Sequence, residues 1–392
     1  MMKHAYMLEP RDLLFLRDAR PMEASDAGLG ANWPRPDQLW NAVFNAFLRQ
    51  WPEPQDWEGT GKHTFRDKRE AAYAGKSKDK NVDSSFRFGA LKTFGPFPFH
   101  TGKGALYLPC PLDLGMELTP CEGTDLPRPL THAFRPKKLG KAELPAWISA
   151  DRYARYLNQG GESDASDMSD KSDLYDVERN IGIAIDSERQ TTLEGHLYQA
   201  EYLRLRPKVT LAFQAECDIK PRGGKETIDI FGRSDCPGAL VIGGQQGVAG
   251  LRPLEVGLRL PQAEITTRWL RWTLIAPALF NAGWLPGWCR DSRKLTEAQL
   301  APLGTVMLPG VTARLIAARV GKPLAFSGWD QKSGPKPTQL AVPAGSSYVF
   351  DCGTAAEARA LASALAPERP RSDRFGEKGF GIGLCSSFPA LS

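Results

Sequence analysis

The chain of 392 residues lacks the patterns by which most enzymes, metalloproteins and secreted proteins are recognised. Its seven cysteines are an odd number and form no C-x-x-C pair, which argues against a disulfide framework and a structural zinc site. No H-E-x-x-H, G-x-S-x-G or phosphate-loop motif occurs. We therefore expect no catalytic residue, no cofactor and no metal, and the cysteine usage favours a reducing, cytoplasmic location.

Signals for export and for the membrane are lacking as well. Residues 1–10 are too polar for a signal peptide. Residues 272–289 carry no charge, but their two prolines, their two glycines and Asn281 would break a spanning helix. We expect this stretch to be a buried core segment with a turn, in a protein without membrane contact.

Glycine and proline are abundant, at 38 and 31 residues, which favours a globular chain rich in turns. The length is typical of two domains, and we place them at residues 1–205 and 206–392. Lysine and arginine number 50 against 45 acidic residues. The resulting net charge of +5 excludes neither proteins nor nucleic acid as partners, so partners must be inferred from where the charges lie.

Local patterns predict more strands than helices, and therefore an α+β fold. A largely apolar run at residues 6–16 predicts the first strand. After a loop with two glycines, apolar residues recur at helical spacing, and Pro36 with Asp37 supplies the start signal of the helix. The segment thus predicts the order strand, loop, helix.

Two further helices and a last strand are predicted by similar signals. Ser149 is placed to cap a short helix at residues 149–158. Thr354 and Glu357 have the spacing of a capping box and open an Ala/Leu-rich helix. The last strand is predicted at residues 379–385.

Two segments have an unusual charge. Residues 62–80 hold seven basic and three acidic groups, which predicts a solvated loop that could face RNA. Residues 161–176 repeat the dipeptide Ser-Asp and hold six acidic groups against one lysine. Such a composition buries too little apolar area to offset the entropy of ordering, so we expect a flexible insertion there.

Glycine clusters lie beside basic and aromatic residues in the second half of the chain. Residues 243–250 are glycine-rich and precede Arg252, so their backbone could approach a phosphate and donate amide protons to it. Lys378 leads into residues 379–383, where an aromatic strand follows a basic loop. Strands of this kind often bind single-stranded RNA, although glycine-rich turns can also simply join strands.

Several motifs along the chain resemble one known family. They are LLFLRDARP at residues 13–21, WPRP at 33–36, GPF at 95–97, LYLPCPLD at 106–113, ERNIGIAID at 178–186, GHLY at 195–198, PALF at 277–280, GWLP at 283–286, SGWD at 327–330, VPAGS at 342–346 and GFGIG at 379–383. In this order and spacing they resemble the subunit-three family of the Cmr complex, the type III-B CRISPR effector, in the RAMP superfamily.

The resemblance implies two ferredoxin-like (RRM-like) units with a β-hairpin thumb, which we assign to residues 179–205. It also implies a non-catalytic role, the binding of the 5′ repeat-derived tag of the CRISPR RNA (crRNA). The implied neighbours are the large polymerase/cyclase subunit and the backbone RAMP subunits, with target RNA contacted indirectly.

The residues expected to contact RNA are basic, aromatic or amide side chains of the hairpin and of glycine- or proline-rich loops. They are Arg20, Trp33, Arg35, Arg179, Arg189, Gln245, Arg252, Lys336, Lys378 and Phe380.

Two alternatives to this function are left open by the sequence. Some RAMP proteins are metal-independent endoribonucleases that use a histidine as general acid or base, and here His4 or His196 would have that role. A scaffold that bridges proteins without touching RNA is the other alternative.

Overall fold

The computed structural model describes most of the chain. The described residues are 4–16, 33–50, 91–121, 126–137, 144–159, 168–169, 171–185, 191–219, 226–232, 238–244, 247–289, 304–330, 334–335 and 337–388. Strands predominate over helices, which confirms the α+β prediction.

The helices among the described residues are α1 Pro36–Gln50, α2 Ala150–Gln159, α3 Lys171–Leu174 and α4 Ala355–Ala364. The strands of the first half are β1 Ala5–Pro10, β2 Leu14–Phe15, β3 Leu91–His100, β4 Ala105–Pro109, β5 Met116–Pro120, β6 His132–Pro136, β7 Trp147–Ser149, β8 Met168–Ser169, β9 Tyr175–Ile185 and β10 Thr192–Leu205. Those of the second half are β11 Val209–Ile219, β12 Glu226–Ile228, β13 Ala239–Val241, β14 Val248–Pro253, β15 Trp269–Leu274, β16 Arg314–Arg319, β17 Leu324–Phe326, β18 Trp329–Asp330, β19 Gly334–Pro335, β20 Gln339–Ala341, β21 Ser347–Asp351 and β22 Gly383–Ser387.

Nine of the described strands form the first sheet. Its order is β13-β14-β1-β11-β3-β4-β7-β8, and β12 pairs with β11. At its centre β1 runs antiparallel to β11, with Tyr6 opposite Phe213. Helix α1 covers one face, because its apolar side chains recur at helical spacing and pack with those of β1 and β11 in one core. Trp40 and Val43 are buried in that core.

The second sheet has the order β16-β21-β15-β22, and each neighbouring pair is antiparallel. Helix α4 packs on it, where Leu361 joins Trp272 and Phe350 in a second core. A further buried cluster holds Phe94 of the first sheet together with Leu384 of the second. The two sheets therefore share a continuous apolar interior.

The same strand order occurs in both sheets. In the first sheet, four neighbouring strands have the spatial order β14-β1-β11-β3. Their order along the chain is β1, β3, β11, β14, with other strands between them. In the second, β15, β16, β21 and β22 lie as β22-β15-β21-β16. Each is the order fourth, first, third, second. Helix α1 connects the first strand to the second in one unit, and α4 connects the third to the fourth in the other.

The predicted domain boundary between residues 205 and 206 is wrong. Strands β11, β13 and β14 follow that point in the chain but belong to the first sheet. The boundary between the sheets therefore lies between β14 and β15. Strand pairing across about 200 residues leaves no local pattern in the sequence, so a midpoint division could not detect it.

The predicted hairpin is present and longer than expected. Strands β9 and β10 pair antiparallel, with Arg179 opposite Glu201, and β2 adds a third strand. The expected flexible insertion differs from the structure in its second half, because β8 occupies residues 168–169 and α3 with the start of β9 occupies residues 171–176. The basic segment at residues 62–80 lies outside the described residues.

Several local signals are confirmed. The amide of Arg152 donates to Oγ of Ser149 at 3.3 Å, at the start of α2. The amide of Glu357 donates to Oγ1 of Thr354 at 3.2 Å, at the start of α4. The run at residues 6–16 is two strands rather than one, because the chain bends after β1 and β2 pairs with the hairpin instead.

The uncharged segment at residues 272–289 is a buried core segment, as predicted. Trp272 lies in β15, and Cys289 at the other end is fully buried. In the part of the chain that the structure describes, no helix is long and apolar enough to cross a membrane.

Candidate nucleic-acid interface

The loop before α1 is hydrogen-bonded to the first sheet. The indole nitrogen of Trp33 donates to the carbonyl oxygen of Pro96 in β3 at 2.7 Å. Nε and Nη2 of Arg35 donate to the two carboxylate oxygens of Asp37 at 3.0 and 3.2 Å. The Arg35 side chain is only 12% exposed. The structure thus brings two predicted RNA-binding residues together at the start of the helix.

The residue before Pro96 is a glycine that packs closely against β11. Gly95 has φ +107°, a conformation that side chains rarely adopt, and a Cβ there would lie 2.9 Å from the carbonyl oxygen of Ala212. The register of β3 against β11 shifts between Ala212 and Gln214. Pro96, whose carbonyl oxygen accepts the Trp33 indole N–H, therefore lies in an irregular part of the β3–β11 ladder.

A cavity of about 230 Å³ lies beside this loop. In its wall, the ring of Trp33 contacts two other aromatic rings. The Trp33 ring centroid is 5.3 Å from that of Trp147 and 5.7 Å from that of Tyr175. Because Tyr175 is the first residue of β9, the root of the hairpin forms part of the wall.

The opposite wall belongs to the second unit. It comprises residues 275–277 after β15, residues 324–325 of β17 and residues 343–344. The cavity therefore lies where the first sheet, the hairpin and the second unit meet. A crevice between units is a common place for a ligand.

Lys378 and Phe380 contribute to packing instead of to an open surface. The ammonium of Lys378 lies 4.5 Å from the ring centroid of Trp40 and 4.7 Å from that of Phe375. Phe380 is completely buried. The prediction that Phe380 presents its ring to RNA is wrong, because the glycine-rich turn directs that ring into the core beside Leu279.

Arg252 is the most open of the described candidates. It lies on β14, its side chain is 74% exposed, and its nearest carboxylate is that of Glu9 at 3.7 Å. An exposed pair at this distance is weak, so the guanidinium can exchange the carboxylate for a phosphate.

The hairpin arginines are already paired with acids. Nε of Arg179 contacts Oε1 of Glu201 at 2.8 Å, and Arg206 contacts Asp176 at 3.0 Å. Arg204 bonds Glu178, and this hydrogen bond lowers the pKa of that carboxyl group. The base of the hairpin thus has less net positive charge than its arginine content indicates.

Beyond these pairs, the part of β9 that follows Arg179 has an apolar, exposed face. Its alternate side chains are Ile181, Ile183 and Ile185, and the exposed Val177 lies on the same face before Arg179. Residues 180–185 include no charged side chain. The pattern of alternate isoleucines is visible in the sequence, and the sequence analysis missed it.

His4, a candidate general base, lies directly before β1, an inner strand of the first sheet. Its Nδ1 is 3.4 Å from Oδ2 of Asp229, and the hydroxyl of Tyr6 donates to the same carboxylate. His196, the other candidate, lies in β10, and its side chain is outside the described part of the structure.

A model of the family "CRISPR-associated protein (Cas_Cmr3)" matches residues 6–387. The chain belongs to this family. It is therefore a subunit of a type III CRISPR effector, and the resemblance seen in the sequence motifs is confirmed.

Solved structures similar to this Cas_Cmr3 chain are distant in sequence. A chain in the structure of type III-B Cmr-beta bound to cognate target RNA and AMPPnP is 14% identical, with 88% of this chain and 86% of that chain covered and a TM-score of 0.46. A chain in the Csm3–Csm4 subcomplex of the type III-A interference complex is 10% identical, with 88% and 92% covered and a TM-score of 0.37. A search of curated proteins found no match.

The remaining predicted contacts of this Cas_Cmr3 chain are not described. Arg20, Arg189, Gln245 and Lys336 lie outside the described residues. Conversely, the cavity includes Gln38, Trp147 and Tyr175, which the sequence analysis did not select. Trp147 lies more than 100 residues from Trp33 in the chain, so only the fold reveals their contact.

Proposed function

We propose that this chain binds the 5′ repeat-derived tag of the crRNA and bridges the large polymerase/cyclase subunit to the backbone subunits of the type III-B effector. It does so without catalysis of its own. The observation that carries the proposal is the aromatic crevice at the junction of the first sheet, the hairpin and the second unit. Aromatic side chains beside basic groups suit unstacked bases of single-stranded RNA.

The fold supports this assignment. Both sheets have the strand order fourth, first, third, second, which is that of ferredoxin-like units, and we propose that each unit is of this type. The root of the hairpin and both units line the crevice, so an RNA strand bound there would contact all three.

Crosslinking in the assembled effector tests the proposal. We expect ultraviolet crosslinks from this chain to map to the 5′ end of the guide. Crosslinks scattered along the guide would contradict tag binding. Their absence from this chain would favour a scaffold that joins proteins only.

Arg252 provides a second test, on affinity. Arg252→Ala should weaken binding to all tag sequences and reduce the slope of log affinity against log salt by about 0.7. Arg268→Ala is the matched control, since Arg268 is 49% exposed and lies 3.5 Å from Asp351 in the second sheet. An unchanged slope for Arg252→Ala would remove this residue from the interface.

The contact of His4 with Asp229 favours one second candidate, an endoribonuclease. A carboxylate can orient an imidazole as general base. Specific cleavage of repeat RNA by the purified chain, lost in His4→Ala, would support this candidate. Intact RNA after prolonged incubation would reject it.

A further inference from the structure

We infer that a buried polar cluster between the two units fixes the separation of the crevice walls. Its side chains, called here the junction cluster, are those of Asp113, Tyr156, Arg271, Thr273, Ser347 and Ser386. Asp113 and Arg271 are thereby positioning residues, which hold the walls in place without contacting RNA. The effect on RNA affinity rests on the proposed function, whereas the effect on the junction does not.

The junction cluster draws its members from both halves of the fold. Asp113 follows β4, and Tyr156 lies in α2. The other members lie on β15, β21 and β22 of the second sheet. The Tyr156 hydroxyl lies 2.9 Å from Oγ1 of Thr273, which in turn lies 3.0 Å from Oγ of Ser347. One hydrogen-bonded group therefore crosses the junction.

Arg271 makes contacts in three directions from one guanidinium. Nη1 donates to Asp113, Nη2 donates to the carbonyl oxygen of Tyr156 at 2.9 Å, and Nε donates to Ser386. Its guanidinium carbon also lies 3.9 Å from the centroid of the Tyr156 ring. Because the donors of a guanidinium have fixed directions in one plane, these contacts specify how α2 is placed on the second sheet. Apolar contacts have no such directionality.

The strands that carry the junction cluster continue directly into the crevice walls. Wall residues 275–277 begin two residues after Thr273. Wall residues 343–344 end three residues before Ser347. Over such short lengths of chain, a movement of the cluster is passed on to the wall.

Two backbone hydrogen bonds also connect the cluster to the walls. The amide of Leu112 donates to the carbonyl oxygen of Gly345 at 2.8 Å, and the amide of Gly345 donates to that of Leu274 at 2.7 Å. Leu112 precedes Asp113, and Leu274 follows Thr273. These two amides therefore report whether the junction is closed.

Net stability alone does not account for an ion pair at this position. Apolar side chains can often replace a buried ion pair without loss of stability, because the desolvation of two charges offsets much of their attraction. Such a replacement lacks the directional bonds, which specify one arrangement of the groups that they join. The role assigned to the pair is therefore the geometry of the crevice.

Hydrogen exchange of the full chain tests the inference without RNA. Arg271→Lys retains the positive charge beside Asp113, but one ammonium group cannot reproduce the three contacts of the guanidinium. We expect the amides of Leu112 and Gly345 to exchange about tenfold faster than in wild type. Amides of β1, which pairs with β11 in the first sheet, should exchange at the wild-type rate.

Arg268→Lys is the control for this measurement. Arg268 is 49% exposed and contacts Asp351 outside the cluster, so exchange at Leu112 and Gly345 should not change. Equal acceleration of all amides in Arg271→Lys would show a loss of global stability only and would overturn the inference. Unchanged exchange at both reporting amides would overturn it as well.

RNA affinity tests the consequence for the crevice, with single-stranded RNA of the 5′ tag as the probe. Ser347→Ala removes one hydroxyl donor to Asp113 and leaves the ion pair in place, so it serves where Arg271→Lys does not fold. We expect about tenfold weaker binding by Arg271→Lys and about threefold by Ser347→Ala. The salt dependence should remain that of wild type, because neither residue contacts a phosphate.

The outcomes separate the two proposals. Wild-type affinity in both folded variants would overturn the positioning role. If the wild-type chain binds no tag RNA, the proposed function fails, and hydrogen exchange alone decides whether the cluster fixes the junction.

Discussion

Asp113 and Arg271 form a buried ion pair between the segment after β4 and strand β15. Nη1 of Arg271 lies 3.3 Å from Oδ2 of Asp113, and each side chain is 1% exposed. Oδ1 of Asp113 accepts hydrogen bonds from the hydroxyl groups of Tyr156 and Ser347, both at 2.6 Å. Nε of Arg271 donates to Oγ of Ser386 at 3.0 Å. Since both charges are hydrogen-bonded, the pair can be buried without an uncompensated charge.

Removing one partner of this pair should destabilise the chain strongly. Arg271→Met leaves the Asp113 carboxylate buried without its cation, and we expect the free energy of unfolding to fall by about 3–5 kcal/mol. Urea unfolding measures this fall in the free energy of unfolding. The control Arg268→Met removes an exposed pair with Asp351 and should cost less than about 1 kcal/mol. Equal costs would contradict the role assigned to burial.

Gly345 packs against Cys110, in the segment after β4 that also contains Asp113. It has φ +87°, and a Cβ there would lie 2.4 Å from the carbonyl oxygen of Cys110. Gly310 has φ +69° with nothing within 4 Å of a Cβ. Gly310→Ala should therefore cost about 1–2 kcal/mol for the left-handed backbone alone. We expect Gly345→Ala to lose at least about 2 kcal/mol more, because the clash adds to that strain. Similar urea midpoints for the two variants would rule out the clash.

A variant of Phe380 tests whether this residue stabilises the core or binds RNA. Since its ring is completely buried, Phe380→Ala should lower the free energy of unfolding by about 3–5 kcal/mol. RNA affinity, measured below the unfolding temperature of the variant, should not change. A tenfold loss of affinity in the folded variant would restore Phe380 to the interface.

The buried tyrosines predict a sensitivity to alkaline pH. Burial raises the pKa values of Tyr153, Tyr156 and Tyr348 above the ordinary value of 10. In the unfolded chain these hydroxyls ionise near pH 10, before those of the folded chain. The stability they contribute is therefore fully present below about pH 10 and is lost as the pH rises further.

Urea unfolding at pH values above about 10 measures this loss of stability, and tyrosinate absorbance follows the ionisation of the hydroxyls. Tyr348→Phe removes one of the three groups, so the free energy of unfolding should fall less steeply with pH, by about one proton. At neutral pH the variant loses the bond from the Tyr348 hydroxyl to the carbonyl oxygen of Trp284. An unchanged slope above pH 10 would show that Tyr348 ionises in the folded chain.

Features with local causes could be predicted from the sequence. The caps at Ser149 and Thr354 act over three residues, and both helices begin where these signals stand. The family itself was predictable, because eleven short motifs in one order carry more information than any single residue. The hairpin was predictable too, because the family resemblance implies it.

Features that depend on distant contacts could not be predicted. Whether an aromatic residue after a basic glycine-rich loop faces RNA or the core, as Phe380 does, is decided by the packing of the whole turn. The cavity combines Trp33, Trp147 and Ile275, which no periodicity connects. The pair of Asp113 with Arg271 likewise follows from the fold alone.

The position of β11 between β1 and β3 has a consequence for synthesis of the chain on the ribosome. Tyr6 pairs with Phe213, so β1 emerges roughly 200 residues before its partner. At about 5–20 residues per second, this interval is roughly 10–40 s. During that time the nascent N-terminal segment presents an unpaired strand and cannot complete its core. Chaperone binding to the nascent chain should therefore persist until translation has passed β11, and it should cease soon afterwards.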